Sequence, residues 1–349
     1  MTTTQTLNIG ILGASGYTGA DLVRLLATHP NAAIRVLTAN QHAGKPMRAV
    51  YPHLASLTLP DLVSWEDADW SKLDVVFCAL PHGTTQAIVA QMPGHLTVID
   101  LSADFRLRDP EVYAAWYGQA HQAMDLQERA VYGLTERNRP ALQGARLVAC
   151  PGCYPTAVLL ALEPLIAAGA IDPGELIVDA KSGVTGAGRK VTQSLLFAEV
   201  GEGVHPYGVG RHRHTPEIEQ ELAAVAGREV RLTFTPHLLP MNRGELVSCY
   251  VRLADGTTAE DLRTTLAKAY EGEPFVQVLP EGETPATRNV RGSNMAVMGV
   301  FADRVPGRAI VIAAIDNLVK GSSGQAIQNM NRVKELPETT GLMQQPMFP

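Results

Sequence analysis

Short apolar runs alternate with helical apolar patterns along the first part of the chain. Strands that alternate with helices in this way form parallel βαβ units with right-handed crossovers. The pattern therefore predicts an α/β fold built on a doubly wound parallel sheet whose strands are buried on both faces. The predicted strands are 8–12, 34–37, 74–80, 96–101 and 146–149, and the predicted helices are 21–27, 84–92 and 155–168.

The pattern changes beyond Asp172, where β-rich runs dominate and some of them alternate at period 2. Such alternation is typical of antiparallel strands with one face in water. A helical pattern at 259–270 follows Thr257 and Thr258, either of which could cap it. These features predict a second domain of mixed α+β type. Its predicted strands are 175–180, 230–235, 245–253, 295–301 and 309–314.

The end of the chain is predicted to return to the first domain. A helix at 322–333 is expected to pack back on that domain, and the tail after Pro337 to be a surface extension. The first domain is therefore expected to span 1–152 and to be completed by 318–349, with a catalytic and oligomerisation domain at 153–317.

Composition excludes several classes of protein. The chain has 349 residues, of which 46% are hydrophobic, which suits about two globular domains and excludes general disorder. With 29 basic and 35 acidic residues there is no basic field that would attract nucleic acid. The most apolar region, 157–171, is interrupted by Glu163, Pro164 and Gly169 and is too short for a membrane span. Four cysteines are too few for a secreted disulfide scaffold, and the N-terminus does not resemble a signal peptide, so we expect a cytoplasmic protein.

A glycine-rich turn, GASGYTG, follows the first predicted strand and opens a helix. Glycines at this point permit a tight turn and let backbone N–H groups approach a pyrophosphate, whose charge the helix N-terminus favours. The strand–turn–helix context predicts a Rossmann-type dinucleotide site, although a glycine turn without a ligand is the alternative. The candidate residues are Gly13, Ser15, Gly16, Tyr17, Thr18 and Gly19.

The type of dinucleotide follows from the end of the second predicted strand. NAD-binding folds usually place an Asp or Glu there to bind the ribose 2′-hydroxyl. The stretch from Thr38 to Lys45 has no acid, and Asn40, Lys45 and Arg48 could accommodate a 2′-phosphate. The sequence therefore favours NADP(H), unless Lys45 and Arg48 are only solvated loop charges.

The segment CPGCYPT places a cysteine between a strand and a helix. A thiol at a helix N-terminus is stabilised as thiolate by the partial positive charge of the helix. Cys153 could therefore be a covalent nucleophile, or Cys150 and Cys153 could form a C-x-x-C dithiol, or both could be buried apolar residues. The preceding dinucleotide turn favours the single nucleophile.

A cluster of titratable residues, GRHRHTPE, supplies a base for such a nucleophile, and Pro216 marks a helix start. His212 could take or give a proton near neutral pH, and Arg211, Arg213 and Arg189 could bind phosphate or carboxylate. The H-x-H spacing lacks a third metal ligand, so no metal is expected; a solvated basic loop is the alternative. A cysteine nucleophile, a histidine and a nicotinamide together predict reduction of an acyl phosphate to an aldehyde through a thioester.

The motifs as a set resemble those of N-acetyl-gamma-glutamyl-phosphate reductases, within the wider semialdehyde dehydrogenase group. They cover nearly the whole chain and read GASGYTGADLVRLL, LPHG, IDLSADFRL, PGCYPTA, SGVTGAGRK, HRHTPEIEQ and DNLVKGSSGQAIQN. The resemblance implies NADPH-dependent reduction of N-acetylglutamyl phosphate to the semialdehyde, with release of phosphate, in arginine biosynthesis. It also implies a homodimer or homotetramer with its contacts in the second domain.

The resemblance further implies roles for individual residues. Cys153 would be the thioester nucleophile and His212 the acid/base, with His214 close by. Residues implied to lie at the cofactor are Leu80, Pro81, Gly183, Asn317 and Gly321, and the candidates for binding the substrate are Arg106, Lys181, Arg189, Arg211, His214 and Glu217.

One position departs from the family pattern. Cys150 stands where such sequences often carry Asn, which would place a second, oxidisable thiol near the nucleophile. Three other functions stay open from the residues alone: the same reaction on an aminoadipyl or aspartyl phosphate, a dinucleotide sensor without catalysis, and a thiol–disulfide oxidoreductase that needs Cys150.

Overall fold

The alternating apolar runs form the strands of one sheet in the computed structural model, which describes residues 6–348. Its seven strands are β1 (Leu7–Leu12), β2 (Ala32–Thr38), β3 (Leu62–Val63), β4 (Val75–Cys78), β5 (Thr97–Asp100), β6 (Val131–Tyr132) and β7 (Leu147–Ala149). All pairs are parallel, in the order β3-β2-β1-β4-β5-β7-β6. The predicted Rossmann-type sheet is confirmed. The edge strands β3 and β6 were not predicted, because two residues are too few to carry a pattern.

The helices that accompany this sheet begin where local signals place them. Asp109 caps one of them by accepting hydrogen bonds from the backbone N–H groups of Glu111 and Val112, and left-handed Gly118 ends it. The first helix begins at Tyr17, four residues before the predicted start, because the glycine turn leads directly into it. The helices are α1 (Tyr17–Leu26), α2 (Met47–Val50), α3 (Thr85–Val89), α4 (Pro110–Tyr117), α5 (Met124–Gln127) and α6 (Thr135–Leu142).

A second seven-stranded sheet, of mixed direction, confirms the predicted α+β architecture of the later part of the chain. Its strands are β8 (Ile171–Gly183), β9 (His205–Pro206), β10 (Leu232–Leu239), β11 (Glu245–Leu253), β12 (Val276–Val278), β13 (Ala296–Ala302) and β14 (Arg308–Ile315), in the order β12-β13-β14-β11-β8-β10-β9. The helices of this part are α7 (Cys153–Ala167), α8 (Phe197–Val200), α9 (Thr215–Ala226) and α10 (Ala259–Ala269).

Helix α7 is buried along most of its length and packs against β8, β11 and β14. Because strand residues alternate between the faces of a sheet, one face of β8 and β11 supplies the small and branched side chains of this core. The buried residues of that face are Leu176, Val178, Ala180, Ser182, Glu245, Val247, Cys249 and Val251. At the start of α10, Thr258 and Asp261 form a capping box, which settles the choice between Thr257 and Thr258.

The predicted C-terminal helix is present as α11 (Gly324–Val333), and it contacts α1 and α6. It is unusually polar for a buried helix, so its amides are satisfied individually. Asn331 Oδ1 lies 2.9 Å from His29 Nε2, and Asn329 donates to the Gly133 carbonyl at 2.8 Å.

The chain divides into two compact units at slightly different points from those predicted. The first comprises the described residues up to Pro151 together with Ser322–Gln344, and the second comprises Gly152–Gly321 together with the residues from Gln345. Residues 318–321 therefore belong to the second unit, where their turn packs on Cys153. Among residues 6–348, no helix is long and apolar enough to cross a membrane.

The tail after Pro337 is not the simple surface extension that we predicted. Leu342 is only 1% exposed, and Gly341 approaches the His29 ring so closely that a Cβ there would lie 2.4 Å from it. The sequence offered too few apolar residues in this segment to reveal its packing.

Candidate active site

Cys153 is the first residue of α7, as the sequence predicts for a thiolate stabilised by a helix N-terminus. Its side chain is half-buried, whereas Cys78, Cys150 and Cys249 are fully buried. Of the four thiols, Cys153 is therefore the one a reagent or substrate can reach.

The peptide before Cys153 is held by the start of α9. The Gly152 N–H donates to Glu217 Oε1 at 2.9 Å, and a Cβ on Gly152 would lie 2.4 Å from His214 Nε2. Thr156 Oγ1 donates to the Gly152 carbonyl at 2.9 Å. Glu217, a candidate for binding the substrate, thus contacts the backbone beside the nucleophile and positions it.

A turn at the end of β14 covers the other side of Cys153. A Cβ on Gly321 would lie 2.7 Å from the Cβ of Cys153, so only glycine fits this contact. Asp316 shapes the turn, because its carboxylate accepts hydrogen bonds from the N–H groups of Leu318 and Val319 and its carbonyl accepts one from Gly321. The motif that contains Gly321 therefore fits against the nucleophile.

His212 lies in an aromatic cluster next to the residue that follows Cys153. Its ring is 5.6 Å from the ring of Tyr154, 5.2 Å from that of Tyr207 and 4.9 Å from that of His214. Burial, with a smaller contribution from Arg213, lowers the pKa of His212 to about 4, so the imidazole is neutral near pH 7. Its Nδ1 faces the backbone N–H of His214 at 3.2 Å, which leaves the ring proton on Nε2.

Glu245, at the start of β11, is a buried acid of the second unit. Its side chain is fully buried, and neither of its carboxyl oxygens has a hydrogen-bond partner among the described residues. Burial, together with the nearby charge of Asp316, raises the pKa of Glu245 to about 8. No sequence motif points to this residue, although an acid that opens a mostly apolar strand is a usable signal.

Asn317 and Gly183, which the family resemblance implies to lie near the cofactor, are brought together. Asn317 accepts a hydrogen bond from Gly244 N–H at 2.9 Å and donates to Thr185 Oγ1 at 3.0 Å. Gly183 lies against the backbone of Asn242, where a Cβ would approach the carbonyl oxygen to 2.7 Å. This close backbone packing explains the glycine.

The basic candidates for binding the substrate occupy different environments. Lys181 forms a 2.6 Å ion pair with Asp179 on the sheet face opposite α7, so the structure does not bring it to Cys153. Arg189 and Arg211 are exposed in the segment between β8 and α9. Arg106, in the first unit, donates to the carbonyl oxygens of Cys150 and Leu101.

The glycine turn of the first unit has the geometry of a dinucleotide site. Gly13 has φ +77°, and a Cβ there would lie 2.4 Å from the Ala79 carbonyl oxygen. A Cβ on Gly19 would lie 2.4 Å from the Gly13 carbonyl oxygen, so the turn and the helix approach as closely as the fingerprint requires. No acid occurs in the first turn of α1, which leaves the helix N-terminus suited to an anion.

The remaining cofactor candidates surround this turn in the first unit. The Leu80 side chain would contact a Cβ on Gly13 at 3.4 Å, and Ser15 accepts a hydrogen bond from the Tyr51 hydroxyl. Tyr17 opens α1, and Thr18 lies 3.4 Å from Ser322 through their hydroxyls. The candidates exposed at this edge of the sheet are Asn40, Lys45 and Pro81.

The loop that carries Leu80 and Pro81 is fixed by a residue whose role sequence reasoning missed. Asp104 accepts hydrogen bonds from the N–H groups of Gly83 and Thr85 and from the Tyr113 hydroxyl. It belongs to the quoted motif IDLSADFRL, so the motif was recognised but its mechanical role was not.

The structure does not support the predicted reactivity of Cys150. The residue is 1% exposed, accepts a weak hydrogen bond from Asn329 at 3.6 Å, and burial raises its pKa to about 12. Such a thiol is inert, which also argues against a C-x-x-C dithiol. Within residues 6–348, no group of three or more His, Cys, Asp or Glu side chains could bind a metal ion.

Comparisons with known proteins agree with this architecture. A family model described as "Semialdehyde dehydrogenase, NAD binding domain" matches residues 8–145, and one described as "Semialdehyde dehydrogenase, dimerisation domain" matches residues 153–317. Among solved structures, aspartate semialdehyde dehydrogenase II from Vibrio cholerae, complexed with ASA, superposes with a TM-score of 0.72 at 15% identity over 95% of this chain and 99% of its own. The Candida albicans aspartate semialdehyde dehydrogenase with NADP gives 0.67 at 18% identity, over 95% and 99% of the two chains. At such identities these likenesses show the fold.

Curated relatives are much more similar in sequence. The N-acetyl-gamma-glutamyl-phosphate reductase of Rhodospirillum rubrum is 59% identical over 99% of both chains. A probable chloroplastic N-acetyl-gamma-glutamyl-phosphate reductase of Arabidopsis thaliana is 56% identical over 98% of this chain and 86% of its own. The chain therefore belongs to the semialdehyde dehydrogenase family and, within it, to the group of N-acetyl-gamma-glutamyl-phosphate reductases.

Proposed function

We propose that this protein reduces N-acetyl-γ-glutamyl phosphate to N-acetylglutamate semialdehyde with NADPH, releasing phosphate, as a step of arginine biosynthesis. The observation that carries the proposal is the accessible Cys153 thiol at the start of α7, with Glu217 holding the preceding peptide and Gly321 packed against it. The relatives that are 59% and 56% identical over nearly the whole chain supply the substrate class.

Cys153 acts as the nucleophile. Its thiolate attacks the acyl carbon and forms a C–S bond. The bond between the acyl carbon and the bridging oxygen breaks, and phosphate leaves with the electron pair. His212 donates a hydrogen bond from Nε2 to the carbonyl oxygen as it gains charge, because its Nδ1 is engaged with the His214 N–H. A bound reduced nicotinamide would supply the hydride that converts the thioester to the aldehyde.

Exposed basic side chains of the second unit are the proposed ligands of the substrate anions. Arg189 and Arg211 are the exposed candidates there, and a guanidinium suits a phosphate or a carboxylate. Arg106 stays a candidate in the first unit, where it donates to the carbonyl oxygen of Cys150. Lys181 is the weakest candidate, because Asp179 already pairs with it on the far face of the sheet.

The cofactor is proposed to be NADP(H), bound at the glycine turn. The support is the stretch after β2, which holds no acid, and the exposed Lys45 beside it.

We expect Lys45→Glu to raise the KM for NADPH by at least about tenfold, because the ion pair with the 2′-phosphate is lost. The KM for NADH should change little. Steady-state kinetics with both cofactors would show this. Lys72→Glu, which reverses an exposed charge before β4 at the amino edge of the sheet, is the matched control; equal losses with NADPH and NADH would contradict the assignment.

The activity itself can be tested in the reverse direction. We expect phosphate-dependent reduction of NADP⁺ with N-acetylglutamate semialdehyde, and a clearly lower kcat/KM with its one-carbon-longer analogue. Preference for the longer analogue would assign the aminoadipyl substrate instead. Absence of turnover together with tight NADPH binding would indicate a dinucleotide sensor.

We also propose that the protein is a cytoplasmic homodimer or homotetramer. The second unit matches a dimerisation domain, and its segment between β8 and α9 exposes large apolar side chains that a second copy would cover. All four cysteines are free thiols, as expected in a reducing compartment. The exposed apolar side chains of the segment between β8 and α9 are Val191, Leu196, Phe197, Val204 and Val209.

A further inference from the structure

Residues 345–348 belong to the second unit, and we call them the strap. The Met347 N–H donates to the Arg291 carbonyl oxygen at 2.8 Å, and Arg291 Nη2 donates to the Met347 carbonyl oxygen at 3.3 Å. The guanidinium of Arg288 lies 5.7 Å from the centre of the Phe348 ring, within the range of a cation–π interaction. These three contacts fix the strap on the loop that carries both arginines, which we call the arginine loop.

The arginine loop reaches the acid that shapes the turn at the end of β14. Gly292, directly after Arg291, has φ +79°, and its N–H donates to Asp316 Oδ2 at 2.6 Å. Asp316 is fully buried, and its Oδ1 accepts the N–H groups of Leu318 and Val319 at 2.8 and 3.1 Å. One buried carboxylate therefore ties the arginine loop to the turn through charge-assisted hydrogen bonds.

The turn at the end of β14 lies against the nucleophile. The Asp316 carbonyl oxygen accepts the Gly321 N–H at 3.0 Å, and a Cβ on Gly321 would lie 2.7 Å from the Cβ of Cys153. Lys320 in the same turn is fully buried, with its ammonium group 5.7 Å from the centre of the Phe275 ring. Because a protein interior is close-packed, a displacement of this turn changes the surroundings of the thiol.

The strap is the partner of both arginines. Neither the Arg288 nor the Arg291 guanidinium has an acidic partner within residues 6–348, and the strap supplies the oxygen and the ring that they contact. The start of the arginine loop is held separately, because Thr287 packs on Gly244, where a Cβ would approach the Thr287 Cβ to 2.6 Å. The strap therefore holds the end of the loop that precedes the hydrogen bond to Asp316.

We propose that the strap positions the turn beside the nucleophile, and that Arg291 is the positioning residue through which it acts. The strap holds Arg291, and the adjacent Gly292 directs its N–H to Asp316. Asp316 in turn keeps Gly321 against Cys153. None of these groups needs to touch the substrate, because small misplacements far from the reacting atoms slow a reaction. This inference rests on the proposed nucleophilic role of Cys153, but not on the identity of the substrate.

Deletion of residues 345–349 should change two rates in opposite directions. The kcat of phosphate-dependent NADP⁺ reduction should fall by about five- to tenfold, because the thiol and the turn are placed less precisely. Alkylation of Cys153 by iodoacetamide at pH 7 should become at least about threefold faster, because the turn opens more often. The Kd of NADPH should stay within about twofold of wild type, since the glycine turn lies in the first unit.

Point variants test the individual contacts of the strap. Met347→Pro lacks the N–H that donates to Arg291, and Arg291→Ala lacks the donor to the Met347 carbonyl oxygen; each should show both changes at smaller size. Met347→Leu keeps the N–H, the carbonyl group and an apolar side chain, so it should restore both rates. The matched control for Arg291→Ala is Arg304→Ala, which removes an exposed arginine between β13 and β14 and should change neither rate.

Three outcomes would overturn the proposal. If the deletion changes neither rate, the strap is only a surface contact. If both rates fall, the turn is not the cover that the strap holds over Cys153. A lower oligomeric mass by light scattering would assign the strap to a contact between subunits instead.

The point variants also cover the case in which the deletion variant does not fold, because each removes a single hydrogen bond. Circular dichroism and the melting temperature of every variant would show whether it is folded. Since alkylation and NADPH binding need no turnover, a failure of the proposed reductase activity would be seen separately.

Discussion

Replacement of Cys153 by alanine is expected to lower phosphate-dependent reduction of NADP⁺ by at least about 10⁴-fold, because no acyl-enzyme can form without the thiolate. Nothing nearby can take over as nucleophile: Cys150 and Cys249 are fully buried, and burial raises the pKa of both thiols to about 12. The variant should also lose its reaction with iodoacetamide at pH 7, as measured by mass spectrometry of the intact chain. Binding of NADPH should be retained, since the glycine turn lies in the other unit.

The matched control for this variant is Cys150→Ala. Cys150 contacts Asn329 and is otherwise enclosed, so its loss should affect stability more than turnover. Near-normal turnover of Cys150→Ala beside an inactive Cys153→Ala would exclude the thiol–disulfide oxidoreductase. Inactivity of both, with both proteins folded, would instead restore a dithiol mechanism and contradict the inert state that we assign to Cys150.

The parts of the fold that could be predicted are those whose signals are local. Three such features are present in the structure: the apolar run from Asn8 to Leu12, the glycine turn after it, and the helix that begins at Cys153. Each lies where a periodic apolar pattern meets a turn or a helix start. The two-residue strands at the sheet edges carry no period. The packing of Leu342 and Gly341 within the first unit depends on tertiary contacts that no local pattern encodes.

The residues of the candidate site that could be predicted are those in short motifs with several chemically active side chains. Cys153, His212 and Glu217 come from two motifs far apart in the chain, and the structure joins those motifs through the hydrogen bond from Gly152 to Glu217. Glu245 lies outside every quoted motif, and Lys181 lies within a strand whose alternation directs it to the opposite face. Which face a residue occupies depends on strand register and on the position of α7, neither of which single residues reveal.

His212 is the second residue whose replacement should have a large effect. We expect His212→Ala to lower kcat by about 10²- to 10³-fold, the usual loss when one donor to a developing oxyanion is removed. His212→Gln should retain part of the activity, because its amide can still donate a hydrogen bond. His237→Ala is the matched control. His237 Nδ1 lies 3.2 Å from Asp179 Oδ1 on the face of the sheet opposite α7, so its loss should leave kcat within about twofold of wild type.

The pH profile distinguishes a hydrogen-bond donor from a general base at this position. The pKa of His212 is lowered to about 4, so the ring stays neutral as the pH falls through the usual histidine range. Protonation of Nδ1, which would break the contact with the His214 N–H, is expected only near pH 4. The kcat of the wild type should therefore not fall as the pH is lowered past 6.5. If it does fall there, and the fall is absent in His212→Gln, His212 takes up a proton near neutral pH and acts as a base instead of an Nε2–H donor. Full activity of His212→Ala would transfer the role to His214, whose Nε2 lies directly against Gly152 beside the nucleophile.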